Sequence, residues 1–272
     1  MARSLRHEHP GAVYHITSRG NARGAIFLGR EDETDFFETL GRVVNDTGWV
    51  CHAYCLMPNH FHLVLETPKP NLARGMQRLN STYAQRFNRR HARVGHVLQG
   101  RYHAVLIEKE SHLLEVCRYV VLNPVRARLC SSPAAWAASS YRATAGISRR
   151  PSFLTVEWLL DQIDGGRRRA DERYRAFVAD GIDRRPLADV RGQIYLGSDD
   201  FARELSAPHE RIEEIPRAQW QPVRRRLDEL LAGGDREGIT GAFREGYMLR
   251  EIAGHLGVHV ATVSRRLRRL AA

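Results

Sequence analysis

Lysine is almost absent from this 272-residue sequence, where only Lys69 and Lys109 stand among the 42 Lys and Arg residues. Long apolar runs are absent as well, since no stretch approaches the roughly 20 consecutive apolar residues that span a bilayer. The basic start of the chain, residues 1–7, is not followed by the apolar core of a signal peptide. The lack of an apolar span and of a signal-peptide core argues against a membrane protein or a membrane partner, and we expect a cytoplasmic protein.

Cysteine is scarce. Cys51, Cys55, Cys117 and Cys130 all lie in apolar surroundings. The first two have the spacing of half a zinc site, but no second pair matches them. The sequence therefore predicts buried free thiols, as is usual in a reducing cytoplasm, rather than a structural zinc site.

Positive charge is what the sequence has in excess. It carries 42 Lys and Arg against 31 Asp and Glu, a formal net charge of +11. Such a balance favours a polyanionic partner, and nucleic acid is the commonest one. The planar fork of arginine binds phosphate with two hydrogen bonds, although a GC-rich genome also favours arginine codons. A basic surface without a specific partner is the alternative.

The hydrophobic pattern of the first 130 residues alternates between the period of strands and that of helices. The order of elements, βαββαβ followed by a helix, predicts an α+β, ferredoxin-like fold: an antiparallel sheet with helices packed on it. The predicted strands cover residues 12–18, 49–57, 60–67 and 97–108, and the predicted helices cover residues 31–46, 71–90 and 111–123.

The end of the chain predicts a helix-turn-helix, with helices over 249–256 and 259–270 and a turn at Gly257. A plain helical hairpin is the alternative, but the outer face of the second helix carries donors of the kind that read the major groove. These donors are Thr262, Arg265, Arg266 and Arg269. The middle of the chain has a weaker pattern. We therefore predict a first domain over 1–145, a helical connector over 146–238 and a DNA-binding module over 239–272.

His60 and His62 flank Phe61 at the start of a predicted strand. Because side chains alternate across a strand, both imidazoles leave on one face, where two of them can bind one divalent cation. The pattern alone is weak, since the N-terminal residues 7–9 repeat it. The pair at 60–62 differs because it follows a tight turn and lies in a strongly apolar strand.

Tyr119 and Asn123 are four residues apart and therefore neighbours on one helix face. A phenol is a poor nucleophile at neutral pH because its pKa is near 10, but a nearby cation favours the phenolate. Asn123 offers a neutral oxygen ligand, and Pro124 is expected to place it at the end of the helix. An ordinary tyrosine of an amphipathic helix is the alternative for Tyr119.

Two stretches carry a resemblance to a known family. Residues 57–64, MPNHFHLV, and residues 119–127, YVVLNPVRA, resemble the signature motifs of the IS200-like transposases. They are most similar to those of the REP-associated tyrosine transposases, single-tyrosine members of the HUH nucleases. Residues 14–21 and 100–102 resemble the same branch, so that the resemblance covers roughly residues 8–145.

The resemblance implies a mechanism. In that family the histidine pair binds Mg²⁺ or Mn²⁺, and a tyrosine attacks single-stranded DNA to give a 5′-phosphotyrosine bond and a free 3′-OH. Carried over, His60 and His62 bind the metal, Asn123 completes its site and Tyr119 is the nucleophile. The expected DNA is a hairpin-forming repeat, with a further duplex contact through the C-terminal module. Composition suggests these DNA-binding residues: Arg19, Arg74, Arg78, Arg86, Arg101 and Arg126.

Two other functions are compatible with the same residues. One is a domesticated DNA-binding regulator that keeps the fold without catalysis, and the other is a hydrolytic metal nuclease in which Tyr119 is structural. The sequence also leaves open whether the protein forms a homodimer, and whether Tyr119 completes its own site or that of a partner.

Overall fold

A computed structural model describes residues 7–164, 169–192, 194–205, 225–232, 235–245 and 247–268. The chain forms two compact units, one over residues 6–190 and one over residues 191–272. The first unit extends beyond residue 145, where we predicted the end of the first domain, because the helix at 170–179 packs against the helix at 109–126.

An antiparallel sheet forms the centre of the first unit. Its strands lie in the order β2-β3-β1-β4, and each neighbouring pair is antiparallel. Two helices, α1 after β1 and α2 after β3, complete the βαββαβ order, which confirms the predicted ferredoxin-like arrangement. The bounds are β1 Ala12–Arg19, α1 Arg30–Thr47, β2 Val50–Met57, β3 His60–Thr67, α2 Leu72–Arg90 and β4 His103–Ile107.

The sheet buries both of its faces. On one face Phe61 of β3 meets Phe36 of α1 at 4.7 Å between ring centroids, and α1 packs against α2 beside them. The alternate residue, His62, points to the other face, which is covered by α3, Lys109–Arg126. The strands therefore read as nearly continuous apolar runs. All four cysteines are free, as predicted, and three of them are buried.

Two elements differ from the prediction. β4 is shorter because residues 97–102 instead bond to the end of β1: the Gln99 amide donates to the Arg19 carbonyl at 2.8 Å. The helix predicted over residues 111–123, α3, continues through Pro124 to Arg126 rather than ending at Asn123. Proline has no N–H for the carbonyl one turn earlier. The side-chain amide of Asn123 donates to that carbonyl, of Val120, at 3.3 Å.

The rest of the first unit covers the sheet edge and α3. The Leu56 amide of β2 donates to the Ala138 carbonyl at 2.8 Å, so the edge strand is not open. Buried Arg118 of α3 donates to the Phe177 carbonyl at 3.0 Å. The elements are α4 Tyr141–Thr144, α5 Glu157–Asp164 and α6 Ala170–Ala179, with 3-10 turns at Asn21–Arg23, Pro133–Ala135 and Pro186–Asp189.

The second unit is mainly helical. Its core contains Ile239, Ile252 and Val263, all fully buried. α10 ends at Gly257, which adopts the left-handed φ of 63° that the predicted turn requires. Nδ1 of His259 accepts the Ala261 amide at 3.2 Å and so takes the place of a capping Ser or Thr. The elements are β5 Tyr195–Leu196, α7 Asp199–Leu205, α8 Leu227–Leu231, α9 Asp235–Arg244, α10 Leu249–Leu256 and α11 Val260–Arg268.

No helix in the described part of the chain is both long and apolar enough to cross a membrane.

Candidate active site

β3 brings the two predicted metal-binding histidines together. The rings of His60 and His62 lie 4.9 Å apart between centroids, on the face of the sheet that α3 covers. His60 stands at the end of the strand, where it is half-buried, and His62 is buried one step further in. Phe61 between them packs into the opposite layer, which fixes the register that places both imidazoles on one face.

Burial keeps both imidazoles neutral. Desolvation, reinforced by the charge of Arg19, lowers the pKa of His60 to about 4. Desolvation also holds the pKa of His62 well below its ordinary value, with smaller contributions from His15, His60 and Arg19. A neutral imidazole has an unshared electron pair, which a metal ligand must provide.

The tautomer of His60 follows from its hydrogen-bond partner. Its Nδ1 lies 2.7 Å from Oδ1 of Asn59, and Nδ2 of the same amide donates to the Arg23 carbonyl at 3.0 Å. The Asn59 oxygen can only accept, so we assign the His60 proton to Nδ1. The unshared pair of His60 is therefore on Nε2.

His62 is held by a third histidine that sequence reasoning missed. Its Nδ1 lies 2.9 Å from Nε2 of His15 and 3.3 Å from the hydroxyl of Thr17. Burial lowers the pKa of His15 to about 3. Among the described residues, the buried Nε2 of His62 has no hydrogen-bond partner. Nε2 of His62 thus has no partner among them, and Nε2 of His60 carries an unshared pair. A bound cation would satisfy both nitrogens.

Tyr119 of α3 lies over this histidine cluster. Its ring stands perpendicular to those of His15 and His62, at centroid distances of 6.1 Å and 6.4 Å. The guanidinium of Arg126 lies 4.8 Å from the centroid of the same ring. Tyr119 thus lies next to the histidine pair of its own chain.

Asn123 lies one turn after Tyr119. Its Nδ2 donates to the carbonyls of Tyr119 at 3.1 Å and Val120 at 3.3 Å, which leaves Oδ1 as the outward end of the amide. Within the described ranges, no group of three or more His, Cys, Asp or Glu residues is arranged to hold a metal ion. A metal at this site would therefore need a neutral ligand, such as this amide oxygen, besides the two imidazoles.

The arginines suggested by composition fall into two groups. Arg19, Arg74 and Arg101 are exposed and have no carboxylate partner in the described part of the chain. Arg78 pairs with Asp46 at 2.5 Å. The other members are engaged within the protein: Arg86 lies 3.6 Å from Asp35 and 3.5 Å from Glu38, and Arg126 donates to the carbonyls of Tyr119, Gly181, Ile182 and Arg184.

Most of the C-terminal candidates lie on α11. Arg265 is exposed, while Thr262 and Arg266 are half-buried. Val263 between them is fully buried in the core of the second unit. Arg269 lies outside the described residues.

Comparisons with known proteins agree with these motifs. A sequence profile of the family described as "Transposase IS200 like" matches residues 9–123. A solved REP-associated tyrosine transposase bound to a REP hairpin is similar at 15% identity and a TM-score of 0.47, over 58% of this chain and 93% of that chain. A protein of Deinococcus radiodurans classed as a transposase has 17% identity and a TM-score of 0.32, over 43% and 95%. No curated protein matches the chain significantly.

Proposed function

Because residues 9–123 of the chain match the sequence profile of the IS200-like transposases, we propose that the protein cleaves and rejoins single-stranded DNA through a covalent bond to Tyr119. The observation that carries this proposal is the convergence of three side chains. The Tyr119 ring lies 6.4 Å from that of His62, and His62 lies 4.9 Å from His60.

The metal that we propose is Mg²⁺ or Mn²⁺, held by Nε2 of His60, Nε2 of His62 and Oδ1 of Asn123. The neutral imidazoles, the orphaned His62 nitrogen and the outward amide oxygen support this ligand set. Since all three ligands are uncharged, a bound cation would keep its full charge to offset that of a phosphate and to favour the phenolate of Tyr119.

The chain's own residues would then carry the transfer. The phenol of Tyr119 loses its proton to solvent and its oxygen bonds to phosphorus. The bond from phosphorus to the 3′ oxygen breaks, and that oxygen takes up a proton from solvent to give a free 3′-OH. Arg19, exposed beside His60, is placed to contact the phosphate backbone. Following the motif resemblance, we propose a hairpin-forming repeat as the DNA.

A covalent-adduct assay tests this proposal. The protein is incubated with Mn²⁺ or Mg²⁺ and labelled single-stranded DNA from the repeats that flank its gene, and the products are separated on a denaturing gel. We expect a slow band that disappears with Tyr119→Phe and with EDTA. Tyr141→Phe, which removes a buried hydroxyl outside the site, serves as the control and should keep the band.

The other outcomes assign the alternatives. Cleavage without an adduct would indicate a hydrolytic nuclease in which Tyr119 is structural. Tight binding without cleavage, on every repeat tested, would indicate a DNA-binding regulator.

For the second unit, we propose that α10 and α11 bind duplex DNA. The exposed guanidinium of Arg265 and the burial of Val263 on the opposite side of α11 support this.

A further inference from the structure

A groove that the proposed chemistry does not use lies between α2 and residues 95–102. It encloses about 810 Å³, within the usual range for ligand sites. The groove belongs to the α2 side of the sheet, because Asn80 in its wall donates to the hydroxyl of Ser18 at 3.2 Å, and Ser18 is paired with Phe61. Tyr119 and His62 lie on the other side.

Positive charge faces this groove, although the Glu8 carboxylate accepts the Ala73 amide at its edge, at 2.7 Å. Arg74 and Arg101 are exposed in its wall, and no Asp or Glu is among the described residues that line it. The next arginine along α2, Arg78, turns away and pairs with Asp46. The charge of the groove therefore fits a polyanionic strand.

The remaining wall suits bases rather than phosphates alone. Ala84 and Leu98, both half-buried in the wall, supply an apolar surface against which a flat ring can pack. Gln77 and Gln85 are exposed amides with both a donor and an acceptor. The side-chain oxygen of Asn80 is buried and has no partner in the described part of the chain. Such groups can bond to the hydrogen-bonding edges of unpaired bases. In a duplex these edges are already engaged in base pairs.

The groove reaches the end of the sheet that carries the histidine pair. Its wall is bonded to β1, since the Gln99 amide donates to the Arg19 carbonyl at 2.8 Å and Asn21 donates to Val97 at 2.9 Å. Arg19 is in turn the register partner of His60. One strand can therefore pass from the histidine site around the end of β1 into the groove.

We propose that this α2 groove binds unpaired nucleotides of the DNA strand next to the bond that Tyr119 attacks. The choice of strand rests on the proposed function, but the binding itself requires neither metal nor catalysis. Arg74 and Arg101 contact phosphates, while Gln77 and Gln85 face the bases.

Binding measurements on a protein that cannot cleave test the groove directly. In full-length Tyr119→Phe with EDTA, fluorescence anisotropy follows a labelled single-stranded oligonucleotide from the flanking repeats and a duplex of the same sequence. Arg74→Ala, Arg101→Ala and Ser81→Trp are compared with Arg42→Ala. Ser81 is exposed in the groove wall, so the indole blocks the groove without changing charge. Arg42 is exposed on α1, and Arg42→Ala removes the same charge at a position away from the groove.

We expect each of the three groove variants to weaken single-strand binding about tenfold, and each arginine variant to lower the slope of affinity against salt by about 0.7. Arg42→Ala should stay within about twofold of its parent, because exposed charges away from a site contribute little. The groove proposal is overturned if Arg74→Ala and Arg101→Ala behave like Arg42→Ala, or if duplex binding weakens as much as single-strand binding.

The two proposals fail separately. If the wild-type protein forms no adduct but Arg74→Ala still weakens single-strand binding, the groove stands and the tyrosine chemistry falls. If the adduct forms and the groove variants bind normally, the groove falls alone. Circular dichroism of each variant confirms that a loss of binding is not a loss of fold.

Discussion

α2 and α3 cover opposite faces of the sheet, and both carry arginines, but they use them in different ways. In α2, Arg90 pairs with carboxylates of α1 while Arg74 is exposed without one. In α3, Arg118 is buried and donates to the Phe177 carbonyl, and Arg126 donates to four backbone carbonyls. The charge of Arg74 on α2 is therefore available for a ligand, whereas the charge on α3 holds the helix of Tyr119 in place.

The difference shows why net charge alone is a poor guide to a binding surface. A guanidinium that donates to several carbonyls of its own protein has few donors left for a ligand, however basic the surrounding sequence is. Residues 177–184, which accept these bonds, lie beyond the segment that matches the transposase family. An extension of the chain thus positions a helix of the family domain.

The largest effect should come from the histidine pair. His62→Ala is expected to reduce DNA cleavage below detection while single-strand affinity stays within about twofold, because affinity rests on many phosphate contacts. Adduct formation and anisotropy on the same preparation measure both. His112→Ala, at the half-buried first turn of α3, is the control. Full cleavage by His62→Ala would show that the metal assignment is wrong.

The next largest effect is a difference in the free energy of unfolding between variants in α3 and in α2. Arg118→Ala leaves the Phe177 carbonyl and the Glu115 carboxylate without their partner, and should lower the free energy of unfolding by about 3–5 kcal/mol. Arg74→Ala on α2 should change it by less than about 0.5 kcal/mol. Urea unfolding followed by circular dichroism compares them. Equal losses would mean that the guanidinium of Arg118 is not a structural group.

Arg126 offers a sharper division between positioning and DNA binding. Arg126→Lys keeps the charge but cannot serve several carbonyls in one plane. If Arg126 positions Tyr119, the cleavage rate at saturating DNA should fall about 10–100-fold with little change in affinity, because a small misplacement of a reacting group is costly. If Arg126 binds DNA, as its charge alone suggested, Arg126→Ala should weaken affinity and its salt dependence instead. Single-turnover rates and anisotropy distinguish the two.

The buried histidines make the metal-free protein sensitive to mild acid. The pKa of His15 is lowered to about 3 and that of His60 to about 4, both below the 6.5 of an unfolded chain. Below pH 6.5 the unfolded chain therefore binds protons that the native state refuses, and stability falls as pH falls. In EDTA we expect a loss of up to about 1.4 kcal/mol per pH unit for each such histidine.

Urea unfolding between pH 7 and 5 tests this, since most carboxylates titrate below that window. His15→Gln removes one titrating group and should flatten the curve. An unchanged slope in His15→Gln would mean that His15 is not the neutral, buried partner of His62.

The sequence predicted those parts of the site that depend on neighbouring residues. Alternation along β3 placed His60 and His62 on one face, and helical spacing placed Asn123 one turn after Tyr119. His15 was missed because its contact with His62 depends on the pairing of β1 with β3, which local pattern does not contain. Its one visible signal was a polar residue among the apolar residues 12–16 of this strand.

Other features depended on hydrogen bonds made by side chains to backbone carbonyls. Pro124 predicted the end of a helix at Asn123, yet the Asn123 amide replaces the missing backbone donor and α3 continues. The role of Arg126 could not be predicted because its acceptors lie as far along the chain as Arg184. Helix order and apolar spacing are local properties of a sequence, whereas hydrogen-bond partners of buried polar groups are set by the fold.

The smallest expected effect concerns the second unit. Arg265 is an exposed arginine of α11. If this helix reads a duplex groove, Arg265→Ala should weaken duplex binding by up to about tenfold and reduce the salt slope by about one. Single-strand cleavage at the histidine site should not change. Ser264→Ala, next to it on α11, removes no charge and serves as the control. If removal of the chain after about residue 238 leaves duplex affinity intact, the module does not bind duplex, and the exposed charge of Arg265 serves only solvation.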